Sequence, residues 1–292
     1  MSTLGGGRRE WASRYSLLAP AVLYAAALAL VPVLFTVGLS FHRQLPIFNI
    51  SRFVGLENYA FLLRDARFWN ALGNTAYFVA LSVTLELGLG LGFALLLNQK
   101  FRGRGLARAL VLLPWAVPNV VGARFWEWIF NADYGVLNYL LGVKINWLGD
   151  PGWALHAAVL ADVWKTTPFA VLLLLAGLQV IPAELYQAAR IDGATPWQLF
   201  RHITLPLLKP VILLVLLFRS MDAARIFDLI FVLTGGGPAN ETETLAVYAY
   251  KLLYRTLQFG YGSALAVATF LFIFALSLAY LYHLRRAWQL RG

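Results

Sequence analysis

Apolar residues in this chain do not mark one face of a helix. They run on without polar interruption. Six runs reach about 20 residues, the length that carries a helix across a hydrocarbon core of about 30 Å. They lie near Ser16–Phe41, Ala71–Leu97, Ala107–Phe130, Ala154–Val180, Lys209–Thr234 and Tyr261–Leu284. The pattern predicts an all-α membrane protein of six transmembrane helices in a single domain, residues 1–292. The first run follows Arg8 and Arg9 and carries small residues at Ala25–Ala27, as a secretory signal peptide would. It is long for one, and five more spans follow, so it reads as a retained helix.

Composition agrees. The 292 residues are 60% hydrophobic and only 13% charged, about half the charge fraction of a soluble domain. Surplus apolar surface of this extent is expected to face a lipid bilayer. There is no cysteine, which excludes disulfides and thiolate metal sites. The net charge of +10 does not indicate nucleic acid, because the basic residues sit mostly in short segments between apolar runs. With both termini inside, thirteen Lys and Arg fall in cytoplasmic segments and seven in outer ones. That asymmetry predicts cytoplasmic N- and C-termini. The densest cluster is Lys100, Arg102, Arg104 and Arg108, between spans two and three.

Between spans four and five, on the predicted cytoplasmic side, residues 186–208 read YQAARIDGATPWQLFRHITLPLL. Pro182 suits a first helical turn and Glu184 favours its positive end. Gly193 fits the positive φ that stops a helix. Thr195, Pro196 and Gln198 form the signature of a capping box. Leu205-Pro206 is expected to end this second helix. The result is a short helix–turn–helix with Ala188 and Ala189 beside the turn. Residues alone leave two readings open: an interfacial connection between spans, or a docking element for a cytoplasmic partner.

The spacing of this loop resembles the membrane subunits of bacterial ABC importers. Those carry Glu-Ala-Ala, three residues, Gly, nine residues, then Ile-x-Leu-Pro; here stand Gln187-Ala188-Ala189, Gly193 and Ile203-Thr204-Leu205-Pro206. Asp192 and Ala194 are similar to the sugar-permease branch. Gln replaces Glu at 187, which removes an ion pair and keeps a hydrogen-bonding group. FVGLENYAFLL (53–63), VWKTTPFAVLLLLAGL (163–178) and FDLIFVLTGGGP (227–238) extend the resemblance over nearly the whole chain, most closely to trehalose- and maltose-type permeases. The resemblance implies a type I ABC importer permease fold. It implies a coupling helix, carried by Gln187, Ala188, Ala189, Asp192, Gly193, Ala194, Ile203, Leu205 and Pro206, that docks on an ATPase. It also implies a second, different permease subunit, two cytoplasmic ATPase subunits, an extracytoplasmic sugar-binding protein and a sugar substrate.

Catalytic signatures are missing. No Gly-x-x-x-x-Gly-Lys-Ser/Thr phosphate loop, HExxH pair or Gly-x-Ser-x-Gly elbow occurs. No catalytic residue, metal site or cofactor is expected, and ATP hydrolysis falls to partner subunits. TGGGP (234–238) reads as an outer turn, a candidate contact for the external binding protein. The alternative is an ion- or proton-coupled secondary transporter with Glu86 or Asp162 as carrier; a membrane-embedded enzyme is a third class.

Charged residues inside spans are expensive and so face protein or water. Arg219, Asp222, Arg225 and Asp228 alternate in sign at i,i+3. On one continuous helix that row winds half around the axis, so it cannot all line one pore face. Depth counting places Lys165, Thr166 and Thr167 of span four level with Arg225 and Asp228 of span five. With Asp222 and the aromatic rings of Phe169 and Phe227, these are the expected substrate path. Gly88-x-x-x-Gly92 reads as a packing face. Trp126, Trp128, Trp147 and Trp153 read as interface anchors.

Overall fold

The computed structural model describes residues 6–289; Arg291, counted above, lies outside them. Internal packing divides the chain into two compact units, residues 1–64 with 249–268, and 65–248 with 269–292.

The first unit begins with α1 (Gly6–Ser40). A hairpin follows that the sequence pattern does not announce, β1 (His42–Leu45) and β2 (Ile50–Phe53), antiparallel, around the turn Pro46–Phe48. Asn49 closes that turn at φ +54°, a conformation Asn tolerates. The helix α2 (Glu57–Arg64) sends the Asn58 side chain back to the carbonyls of Ser40 and His42 at 2.8 and 3.0 Å, so hairpin and α1 are tied at one point.

The second unit holds α3 (Ala66–Asn98), α4 (Arg104–Ala116), α5 (Asn119–Ile129), α6 (Val136–Leu141), α7 (Pro151–Gln179), α8 (Ala183–Ile191), α9 (Pro196–Leu199), α10 (Leu205–Ala224) and α11 (Asp228–Leu233). Then α12 (Leu245–Tyr250) and α13 (Phe259–Gln289) close the chain. Among the described residues, five helices are long and apolar enough to span alone, and there are six if the bent pair α4–α5 counts as one broken span.

α3, α7 and α10 pack around an apolar core that includes Ala94, Ala170, Leu174, Leu208 and Val215. The close crossing of α3 and α7 is set by Gly90, where an added Cβ would lie 2.8 Å from that of Ala170. A Cβ added at Gly88 or Gly92, the expected packing pair, meets nothing within 4 Å in this chain; the glycine at the α3–α7 crossing lies between them. Trp147 is likewise no interface anchor. It is 9% exposed and donates its indole N–H to Asn138 Oδ1 at 2.7 Å.

Three expected elements differ. The third span is not one helix, because α4 and α5 meet at 96°. Pro114 lies in the last turn of α4, and Pro118 caps α5 after an extended Val117. Proline lacks the donor and forces its predecessor out of helical geometry. The fifth span breaks at Arg225–Phe227; Thr244 donates its hydroxyl to the freed Ile226 carbonyl at 3.1 Å. Conversely, Leu205-Pro206 ends nothing. A π-helical turn at Phe200–Thr204 carries α9 into α10, giving one helix over Pro196–Ala224. The wider turn, closed by Leu205 N–H to the Phe200 carbonyl, accommodates a proline with no donor.

Candidate functional site

Two helix breaks meet at one cavity of about 660 Å³. Trp115 to Asn119 supply one wall from the α4–α5 bend; Arg225 to Leu229 supply another from the α10–α11 break; α7 contributes Asp162, Lys165 and Thr166. Non-helical backbone at membrane depth persists only where its polar groups are satisfied or face water. Here the Val117 carbonyl freed by Pro118 accepts from Lys165 Nζ.

At the cavity floor a charge network joins three spans. Arg219 on α10 donates twice to Glu86 on α3, Nε to Oε2 at 2.5 Å and Nη2 to Oε1 at 2.9 Å. The same Nη2 reaches Asp162 Oδ2 on α7 at 3.3 Å. Thr166 Oγ1 lies 2.8 Å from Glu86 Oε1 and 2.6 Å from the Asp162 carbonyl of its own helix, so its single proton is shared between the two acceptors. Glu86 is fully buried, and Arg219 and Asp162 nearly so. Nearer the opening, Arg225 Nη2 donates to Asp222 Oδ1 at 2.6 Å, and Asn119 donates to Asp228 Oδ2 at 3.2 Å. A wall that alternates fixed donors and acceptors, beside the rings of Trp115 and Phe227, suits a neutral polyhydroxyl ligand with apolar ring faces.

The structure brings together Lys165, Thr166, Asp222, Arg225, Phe227 and Asp228. Arg219, Asp222, Arg225 and Asp228 do line one cavity, against the half-turn expectation, because the helix breaks before Asp228 and returns it to the same side. Thr167 and Phe169 are not in the lining. Thr167 is buried and donates to the Val163 carbonyl of its own helix at 2.6 Å; Phe169 lies against Trp115 and Phe218. Arg219 and Asn119 were not among the expected path residues, and Glu86 and Asp162 entered only as carriers in the alternative reading. Only Pro114 and Pro118 announced the α4–α5 wall.

The loop at 183–206 is built as its caps direct. Gly193 takes φ +81°, with Gly193 N–H to Arg190 O at 3.1 Å and Ala194 N–H to Ala189 O at 2.9 Å. These paired bonds are a Schellman stop. Thr195 and Gln198 form the reciprocal capping box. Tyr186 Oη and Thr204 Oγ1, 3.0 Å apart, tie α8 to the π-turn. Ala189, Asp192, Gly193, Ala194 and Ile203 border a hollow of about 340 Å³. Gln187 and Ala188 are exposed on α8, Leu205 and Pro206 open α10, and Ile191 stands 86% exposed beside the turn.

Comparison with known proteins agrees with this architecture. The chain is 45% identical over 277 residues to the trehalose/maltose transport system permease protein MalF of Thermococcus litoralis, covering 94% of each. It is 39% identical to the trehalose transport system permease protein SugA of Mycobacterium tuberculosis, covering 91% of this chain and 86% of that one. A chain of a bacterial ABC transporter involved in the import of the acidic polysaccharide alginate superposes with TM-score 0.82 at 24% identity, over 96% of both, and so shares the fold. Residues 86–289 match the family described as binding-protein-dependent transport system inner membrane component. The chain belongs to that family, as a type I ABC importer permease subunit of the inner membrane and not an enzyme.

Proposed function

We propose that this chain is one of two different permease subunits that together form the path of a sugar importer, with a disaccharide such as trehalose or maltose as substrate. An external binding protein delivers the sugar. Two cytoplasmic ATPase subunits drive alternating access through the loop 186–206. The N- and C-termini lie in the cytoplasm.

The observation that carries this reading is the cavity where the two helix breaks meet. Lys165, Thr166, Asp222, Arg225 and Asp228 offer a sugar both donors and acceptors, and Phe227 offers a ring face. Loss of its water shell is offset only where each hydroxyl finds a partner. The sugar names of the relatives point the same way. For the loop, support comes from the Schellman stop at Gly193 and the exposed Ile191 next to it. An apolar side chain in water at a rigid turn suits a partner's pocket.

The test is co-purification of the native complex and identification of bound ligand by mass spectrometry, followed by uptake in proteoliposomes. A disaccharide in the complex and ATP-driven uptake are the expected results. Gly193→Pro, which forbids φ +81° and removes a donor, is expected to abolish uptake while membrane insertion survives. Normal uptake together with normal ATPase association in that variant overturns the docking role.

A further inference from the structure

The hairpin of the first unit has an unfavourable register. Arg43 on β1 stands directly opposite Arg52 on β2, and Leu45 opposite Ile50. Strand alternation puts these four on one face and His42, Gln44, Ser51 and Phe53 on the other. Like charges directly opposite in an antiparallel pair are destabilising. Both arginines are exposed, and neither forms an ion pair among the described residues, Glu57 of α2 included. Among the described residues no carboxylate stands at ion-pair distance to offset the repulsion, and Glu57, which lines the same hollow as Arg43, faces it only at longer range.

Location says what offsets it. The apolar part of α1, Leu18–Ser40, has 23 residues and is about 35 Å long, slightly more than the hydrocarbon core. Its end therefore lies at the edge of the headgroup layer. Arg43 follows three residues later, at most about 10 Å further along an extended chain. The headgroup layer on each side is about 5–8 Å deep. Arg43 and its partner Arg52 are thus within reach of the phosphate level, whichever side of the membrane the hairpin occupies. The same face continues through Leu45 and Ile50 to a turn whose Ile47 and Phe48 are 63% and 70% exposed. Guanidinium groups beside an apolar tip match a lipid, which offers an anion and a hydrocarbon within one molecule.

We propose that the Arg43–Arg52 face of the hairpin is a docking site for the phosphate of an anionic phospholipid. Two guanidinium forks converge on one anion, each able to bind it bidentately. The lipid removes the repulsion that the register creates. The site shares no residue with the cavity lining and is independent of the sugar reading.

The experiment uses the assembled transporter in nanodiscs of mixed phosphatidylglycerol and phosphatidylcholine, with lipids retained after release counted by native mass spectrometry. The Arg43→Gln/Arg52→Gln variant is expected to lower the preference for phosphatidylglycerol about 25-fold, roughly fivefold per arginine. In discs of phosphatidylcholine alone, Arg52→Gln is expected to melt no lower than the parent, because it relieves the like-charge pair. An unchanged lipid preference overturns the proposal. So does a lower melting point of Arg52→Gln in phosphatidylcholine, since the pair would then serve the hairpin's own fold. Unchanged lipid preference with weakened binding-protein affinity in neutral discs would reassign the face to an acidic protein surface.

Discussion

Replacing Arg219 by Met removes the one cation shared by two buried carboxylates. Glu86 would keep only a share of the Thr166 hydroxyl at 2.8 Å, whose proton also serves the Asp162 carbonyl, and the Asp162 carboxylate would lose its contact at 3.3 Å. Removing one partner from a buried ion pair costs about 3–5 kcal/mol, because the remaining charge is stranded. Glu86→Gln is milder. The amide oxygen still accepts from Arg219 or Thr166, and Arg219 keeps Asp162, so a loss of about 1–2 kcal/mol is expected. Hydrogen bonds between membrane helices average only about 0.6 kcal/mol, so a several-fold larger effect for Arg219→Met must come from stranded charge. The assay is unfolding of the detergent-solubilised permease by increasing SDS, with both single variants and the double variant. In Arg219→Met/Glu86→Gln only Asp162 is stranded, and the double loss should fall short of the summed single losses by at least about 1 kcal/mol. Equal losses for the two single variants, with a double loss equal to their sum, would refute the shared-cation argument.

Three further outcomes follow from the same packing. Both hydroxyls reach the carbonyl four residues back, but only that of Thr166 also faces Glu86 and the cavity; Thr166→Val is therefore expected to lower uptake severalfold, the worth of a shared hydrogen bond, while Thr167→Val leaves uptake unchanged, and proteoliposome transport separates them. Gly90→Ala, which drives a Cβ to 2.8 Å from that of Ala170, is expected to destabilise by about 1–3 kcal/mol in SDS unfolding, whereas Gly88→Ala costs nothing within this chain. Epitopes inserted within 142–150 should be reached by an impermeant reagent in intact cells and those within 98–106 should not; the reverse labelling would overturn the orientation.

Legibility followed the range of the interaction. The spans, the Thr195 capping box and the Gly193 stop depend on residues within a few positions of one another, and each could be read directly. The α4–α5 bend was present in Pro114 and Pro118 but masked by the length of the apolar run. The break after Ala224 carries no glycine or proline. It rests on distant groups such as Thr244, so a helical projection carried through it misplaced Asp228. Glu86 and Arg219 are separated by 133 positions, and no local pattern pairs them. The hairpin at 42–53 is too short and too mixed to alternate clearly, and its significance lies in a register that only the folded chain reveals.

The continuous helix over Pro196–Ala224 has a mechanical consequence. Its 29 residues make a rod about 43 Å long. The near end carries the capping box beside the Gly193 turn; the far end carries Arg219 and Asp222 and stops where the cavity wall begins. Pivoted at one end, such a lever converts a tilt of about 10° into a sweep of about 7 Å at the other. If the turn docks a partner as proposed, a tilt imposed there would reach the far end as a displacement of that size, beside the unwound residues Arg225–Phe227. Had Leu205-Pro206 ended the helix as its sequence suggests, a joint would separate the turn from the cavity, and the displacement would be lost there.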